Sequence, residues 1–240
     1  MLGLFDWIFI GMFAAFCLLE LVAPARRFPN VRGWRAMGLV GIVLYFYLAG
    51  TVPILWDEWL GAHTLFDASG LSAWVAIPAG FLVLQFGIYW WHRTMHNVEP
   101  LWRGLHQMHH AAERVDIYGA FYFHPLDMIG FTLVGSVMLV GVFGLNGEAA
   151  AVVNILAAFC GMFQHANIRT PHWLGYIVTR PESHSVHHER GHHANNYGDI
   201  PLFDMIFGTF VNPKTWEGEA GFFDGSTNRI PSLLFWRKVA

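Results

Sequence analysis

Charge is scarce in this chain. Of its 240 residues only 13% are Asp, Glu, Lys or Arg, about half of the roughly 25% usual in a soluble globular domain. The formal net charge of −3 supplies no basic surface for nucleic acid, so no nucleic-acid partner is expected. Cysteine is nearly missing. Cys17 and Cys160 each sit inside an apolar run, which argues against a disulfide framework. There is no cysteine cluster, no haem-attachment motif and no GxGxxG turn. Any redox chemistry here would therefore draw its electrons from another protein or a reduced cofactor. Low-complexity tracts are absent, and the length suits a single membrane domain over residues 1–240.

Apolar residues fill the space that charge leaves. Hydrophobic residues make up 55% of the chain and aromatics 16%, with 11 Trp, a balance that predicts an integral membrane protein. A spanning helix needs about 20 mostly apolar residues. Residues 2–24, 36–56, 71–91, 127–145 and 149–167 meet that need, which predicts an all-α protein with four or five membrane helices. The first run follows Met-Leu-Gly-Leu-Phe-Asp; without a basic n-region it is expected to span rather than be cleaved. Leu145-Asn146-Gly147-Glu148 alone joins the last two runs, so these should form a tight helical hairpin.

Basic residues set the sides. Arg26, Arg27, Arg32 and Arg35 lie between the first two runs, Arg93, Arg103 and Arg114 follow the third, and Arg169, Arg180, Arg190 and Lys214 follow the fifth. The loop after the second run holds Asp57, Glu58 and Asp67 without Lys or Arg. Because basic loops stay inside, the N-terminus is expected outside. Residues 92–126 and 169–240 should then form a cytoplasmic, histidine-rich helical cap. Trp34, Trp56, Trp59, Trp90 and Trp91 fall at run ends, where aromatic rings gather at the bilayer interface; Trp90 and Trp91, beside His92, could also wall a site.

Histidine is the polar residue the chain has in quantity, 14 in all. Two HxxHH runs stand out, His106-Gln-Met-His109-His110 and His184-Ser-Val-His187-His188, with His92-Arg-Thr-Met-His96 shortly before the first. On a helix, positions i, i+3 and i+4 share a face, roughly 5–6 Å apart, so each HxxHH should present three imidazoles together. One structural zinc takes four ligands; this many histidines imply two metals. Imidazole suits Zn, Cu, Fe and Ni. A dinuclear, sulfur-free, histidine-rich site at a membrane surface points to non-haem iron handling O2, with zinc able to fill the same donors as a substitute.

These motifs, with Asn196-Tyr197-Gly198 and Phe203-Asp204-Met-Ile-Phe207-Gly208-Thr209 behind them, resemble the fatty acid hydroxylase (sterol desaturase) superfamily over roughly residues 75–210. The resemblance implies a membrane di-iron enzyme that uses O2 and external electrons to hydroxylate or desaturate a lipid C–H bond, or to cleave an ether after hydroxylation. It makes His92, His96, His106, His109, His110, His184, His187 and His188 the catalytic metal ligands, and His165 a ninth. The family usually has Trp where this chain has Phe203, and many members have Arg where it has Tyr122.

Around that set, Asp127, Asp199 and Asp204 are candidates for orienting ligands, since a metal-bound His usually donates its second N–H to an oxygen. Asn195 and Asn196 could do the same or shape the turn before Gly198. His124 is expected behind the ligands or near a lipid headgroup, and His192 and His193 in loop contacts. His63 and His172 are expected to be bystanders. The implied partners are a membrane lipid substrate, the bilayer and an electron donor. Sterol, fatty acyl, alkylglycerol ether, sphingoid and carotenoid substrates all fit. A histidine-rich metal-binding or metal-transport protein without redox catalysis is the alternative; it would carry ionisable residues at mid-span, and the apolar runs hold almost none.

Overall fold

The computed structural model describes residues 3–240. Among them no strand forms; Glu189 and Ala220 make one isolated bridge. Helix α1, Leu4–Val22, ends just before Pro24, whose ring disfavours helical backbone at the residue ahead of it. Helix α2, Trp34–Thr51, starts after Gly33 at φ 75, a left-handed turn that glycine takes without steric cost. It runs into a 3-10 turn, Val52–Leu55, with Pro53 in its first turn, and the short α3, Asp57–Ala62, follows.

Helix α4, Ala73–Asn97, is longer than the apolar run predicts. At about 1.5 Å per residue it reaches roughly 37 Å, past the ~30 Å hydrocarbon core. Its last turns therefore carry His92 and His96 beyond the bilayer centre on one continuous helix. Next come α5, Glu99–Leu101, a π-turn Trp102–His106 and α6, Gln107–His110. Helix α7, Pro125–Ser136, opens on His124, whose side chain accepts the Leu126 N–H, with Pro125 at its first position. A second π segment, Val137–Val142, extends it. Helix α8, Gly147–His165, is capped by Asn146 accepting from the Ala149 N–H. The cap adds α9, Pro181–His187, α10, Leu202–Phe207, and α11, Ile230–Leu234.

Among the described residues five helices are long and apolar enough to cross a membrane: α1, α2 with its 3-10 turn, α4, α7 with its π extension, and α8. The chain is a multi-pass, all-helical membrane protein. One apolar core joins α1, α2, α8 and the 117–121 segment through Phe9, Phe16, Ile42, Phe121, Met162 and Phe163. A second joins α4, α7 and α8 through Ala76, Leu84, Leu139 and Val153. Gly38 and Gly41 let α2 lie against the backbone of Tyr118 and Phe121, where any Cβ would collide.

The cap is held by buried polar groups. The Arg180 guanidinium is fully buried, donating to Asn212 Oδ1 at 3.0 Å and to the carbonyls of Thr170 and Pro213, with Glu182 at 3.5 Å. It anchors the start of α9. Glu113 accepts from the Gly225 N–H and from the Thr227 hydroxyl and N–H, tying the C-terminal region to the loop after α6. The Ala25 N–H donates to the Asn167 carbonyl at 2.8 Å. The arginine-rich α1–α2 loop thus lies at the same end of the bundle as the C-terminus of α8.

Candidate metal centre

Four pieces of chain bring imidazoles to one place. Helix α4 supplies His92 and His96, one turn apart. His106 closes the π-turn and His109 and His110 lie on α6. His165 is the last residue of α8; His184 and His187 lie on α9, with His188 as its C-cap. Side chains advance about 100° per residue on a helix, so i+3 falls about 60° to one side of i and i+4 about 40° to the other. That divergence divides each HxxHH. His92, His96, His106, His110 and His187 form one group, and His109, His165, His184 and His188 a second; within each, nitrogens lie within 4.8 Å of one another. Each HxxHH therefore serves both groups, where its helical spacing predicts three imidazoles facing together. All nine are buried except His96, which is half-buried.

The hydrogen bonds fix which nitrogen faces inward. A carbonyl can only accept, so His92 donates Nδ1–H to Tyr197 O at 2.8 Å, His96 to His193 O at 2.9 Å, His187 to Asn195 O at 2.7 Å and His165 to Gly161 O at 2.7 Å. His106 Nδ1 meets the Asp127 carboxylate at 2.7 Å. A neutral imidazole has one N–H, so Nε2 in these rings is a bare lone pair. Yet His92 Nε2 and His106 Nε2 are 2.9 Å apart. His165 Nε2 lies 3.1 Å from His109 Nε2 and 3.0 Å from His184 Nε2, which is 3.1 Å from His188 Nε2. The lone pairs of His92 and His106, facing at 2.9 Å, repel unless a cation lies between them, and His165 turns its own lone pair toward His109 and His184. Imidazole–metal bonds of about 2.0–2.1 Å meeting near a right angle put their nitrogens about 3 Å apart. Nε2 of His96, His110 and His187 is buried with no hydrogen-bond partner. The donor set fits two metal ions.

Electrostatics point the same way. Burial holds His106 down to about 3. Burial first, then the neighbouring imidazoles, hold His109, His110, His184, His187 and His188 well below the usual histidine range. All six stay neutral at physiological pH, the state in which histidine binds metal.

Other candidate residues fall outside the two groups. His124 caps α7 and meets Leu234 O. His192 bonds Asn195 Oδ1, and His193 lies against His110 through Nδ1 at 3.1 Å. His63 and His172 bond the carbonyls of Trp59 and Asn212. Of the three aspartates only Asp127 reaches an imidazole. Asp199 instead accepts from Gln85 and Gln164, and burial raises it to about 6 against those bonds. Asp204, also raised to about 6 by burial, accepts the Tyr197 and Gly198 N–H groups and the Thr209 hydroxyl. Asn195 reaches His187 through its backbone carbonyl, not its side chain. Trp90 packs on Phe207 and Trp91 lies over Gly130. The walls are Phe123, stacked on His109 with centroids 4.1 Å apart, and Trp102, 4.9 Å from His96.

A cavity of about 120 Å³ opens from the histidines between α2, α4, α7 and α8. His92, His106, His109, His165 and His184 line one end, and Leu84, Ile88, Phe121, Met128, Phe131 and Ala157 line its apolar walls. A second cavity of about 370 Å³ shares Tyr45, Phe131, Asn154 and Ala158 with it and extends toward Pro53 and Ala150. The two adjoin along these four residues and are lined mostly by apolar side chains, which makes them a candidate passage from the histidines into the bundle.

Residues 77–209 match the model of the fatty acid hydroxylase family. Ornithine lipid hydroxylase OlsE of Rhizobium tropici is 30% identical over 142 residues, covering 57% of this chain and 42% of the relative. Alkylglycerol monooxygenase of Homo sapiens is 30% identical over 159 residues, 65% of this chain and 34% of the relative. Sphinganine C4-monooxygenase 1 of Arabidopsis thaliana is 22% identical over 229 residues, 91% and 88% of the two chains. Against the first relatives matched, the chain spans 34% to 58% of their length. No solved structure matches the chain.

Proposed function

The chain belongs to the fatty acid hydroxylase family, and from that membership we propose that it is a membrane oxygenase acting on a C–H bond of a lipid. The observation that carries the proposal is the pair of buried histidine groups at a mostly apolar cavity. His92, His96, His106, His110 and His187 would hold one iron and His109, His165, His184 and His188 the other. A bound di-iron pair supplies the O2-dependent oxidation of an unactivated C–H bond, which no side chain performs.

The chain's own residues orient and shield. Tyr197 O, His193 O, Asn195 O, Gly161 O and Asp127 keep Nδ1 protonated and Nε2 free. Phe121, Phe123, Phe131 and Met128 keep water from the passage and hold an alkyl segment against the histidines. Hydroxylation is proposed over desaturation because hydroxylases and monooxygenases outnumber sterol desaturases among the relatives by name. The arginines at the histidine end support a cytoplasmic side for it, from which an external electron donor would dock on the cap.

Membranes containing the iron-loaded protein, given a reductant and ¹⁸O2, test this. A hydroxylase leaves labelled oxygen in a lipid product; a desaturase leaves an unlabelled alkene. A product formed equally well without O2 would remove the oxidative reading.

A further inference from the structure

The two histidine groups are supported unequally. In the group of five, four imidazoles donate or present Nδ1 to an oxygen: His92 to Tyr197 O, His96 to His193 O, His187 to Asn195 O and His106 to Asp127. In the group of four only His165 does so, to Gly161 O. Nδ1 of His109, His184 and His188 is buried without a hydrogen-bond partner.

Three of those oxygens come from one short segment. The carbonyls of residues 193, 195 and 197 alternate along the chain and each takes a different imidazole of the same group. To aim them, the backbone holds His193 at φ 44, Asn195 at φ 68 and Asn196 at φ 48. Such left-handed conformations persist only where surrounding contacts enforce them. Here the enforcing residue is Asn196, which is buried. Its amide donates to Ser183 O and Val211 O, and its Oδ1 accepts the Val211 N–H. The segment serves no member of the group of four.

We propose that the two metal positions differ in grip. The group of five retains its ion, the group of four exchanges it, and residues 193–197, clamped by Asn196, are the positioning device for the tighter position. This rests on the di-iron reading and deepens it. Removing one oxygen behind a metal-bound histidine typically lowers affinity about 10–100-fold, and the groups differ by three such oxygens.

The test is release of iron from anaerobically loaded full-length protein to a coloured ferrous chelator. The expected record has two phases of one equivalent each, the slower by at least about tenfold. His184→Ala should leave one equivalent, released slowly, and the double substitution His92→Ala/His106→Ala one equivalent, released fast. Asn196→Ala should speed the slow phase toward the fast one. Gly38→Ala, a destabilising change far from the segment, should leave both phases as they are. Two equivalents leaving in a single phase, or Asn196→Ala leaving the ratio of rates unchanged, overturns this inference alone. A chain that takes up no iron overturns the oxygenase reading along with it.

Discussion

The outer membrane helices and the cap bury their residues by different means. Only 11% of the spanning windows of α1 and α2 is buried inside the protein, against 39% for α8. Their outward faces, such as Val40 and Val43, are exposed and meet lipid. Their inward faces approach the neighbouring backbone through Gly38 and Gly41. The cap, in contrast, buries Arg180, Glu182, Glu113, Asn196 and Asp204, each satisfied by several hydrogen bonds. The bundle packs through apolar surfaces, whereas the cap fixes backbone carbonyls against named imidazoles. The difference teaches that geometry at the metal centre is set from the cap, and that the bundle supplies the passage and the fixed ends of α4 and α8.

Four changes would sharpen or break that contrast. The largest effect belongs to the imidazoles of the candidate centre, where cap and bundle meet. His109→Ala or His187→Ala should abolish lipid oxidation and lower iron content, while His63→Ala, on the exposed loop after α3, should do neither. Product analysis beside metal analysis reads both. Full activity without His187 would remove it from the centre.

Acid comes next. Burial keeps His106, His109, His110, His184, His187 and His188 neutral in the folded chain, whereas unfolded histidines take up protons near pH 6.5. Below that pH the unfolded state binds more protons, so stability falls as pH falls and is regained above it. Each such histidine removes on the order of 1 kcal/mol at one unit below 6.5. The thermal midpoint of metal-free protein should therefore drop steeply between about pH 7 and 5.5; a flat profile would mean that these rings are open to solvent.

Arg180→Ala leaves Glu182 buried without its guanidinium and strips the bonds to Asn212 and Thr170. Breaking a buried pair in this way costs about 3–5 kcal/mol. Denaturation should show the loss, with α9 released first in hydrogen exchange.

The smallest effects compare two faces of α2. Gly38→Ala drives a Cβ into Tyr118 and should cost about 1–3 kcal/mol by overpacking. Val43→Ala, on the lipid face, should stay within about 0.5 kcal/mol. Equal effects from the two would erase the distinction between inner and outer faces.

Much of the bundle was legible because apolar runs of spanning length have few other uses. The histidines also announced themselves, through residue type and helical spacing. Their division into two groups did not, because it depends on the 102–106 π-turn and on the divergence of i+3 from i+4. The oxygens behind them were harder still. Asp127 has a side chain to suggest the role, but His193, Asn195 and Tyr197 act through carbonyls that every residue possesses. Only the left-handed tolerance of two consecutive asparagines hinted at a tight turn. Asp199 looked like a partner for a ligand and proves to be held by Gln85 and Gln164, one from each of two spans, a pairing no local pattern reveals.

The central claim, that nine histidines in two groups hold a metal pair, is met most directly by counting. Protein purified without oxygen and loaded with ferrous iron should carry two irons per chain, and the double substitution His92→Ala/His106→Ala and the single substitution His184→Ala should each lower that number to one. A wild-type ratio of one, or a count that neither substitution changes, would contradict the account.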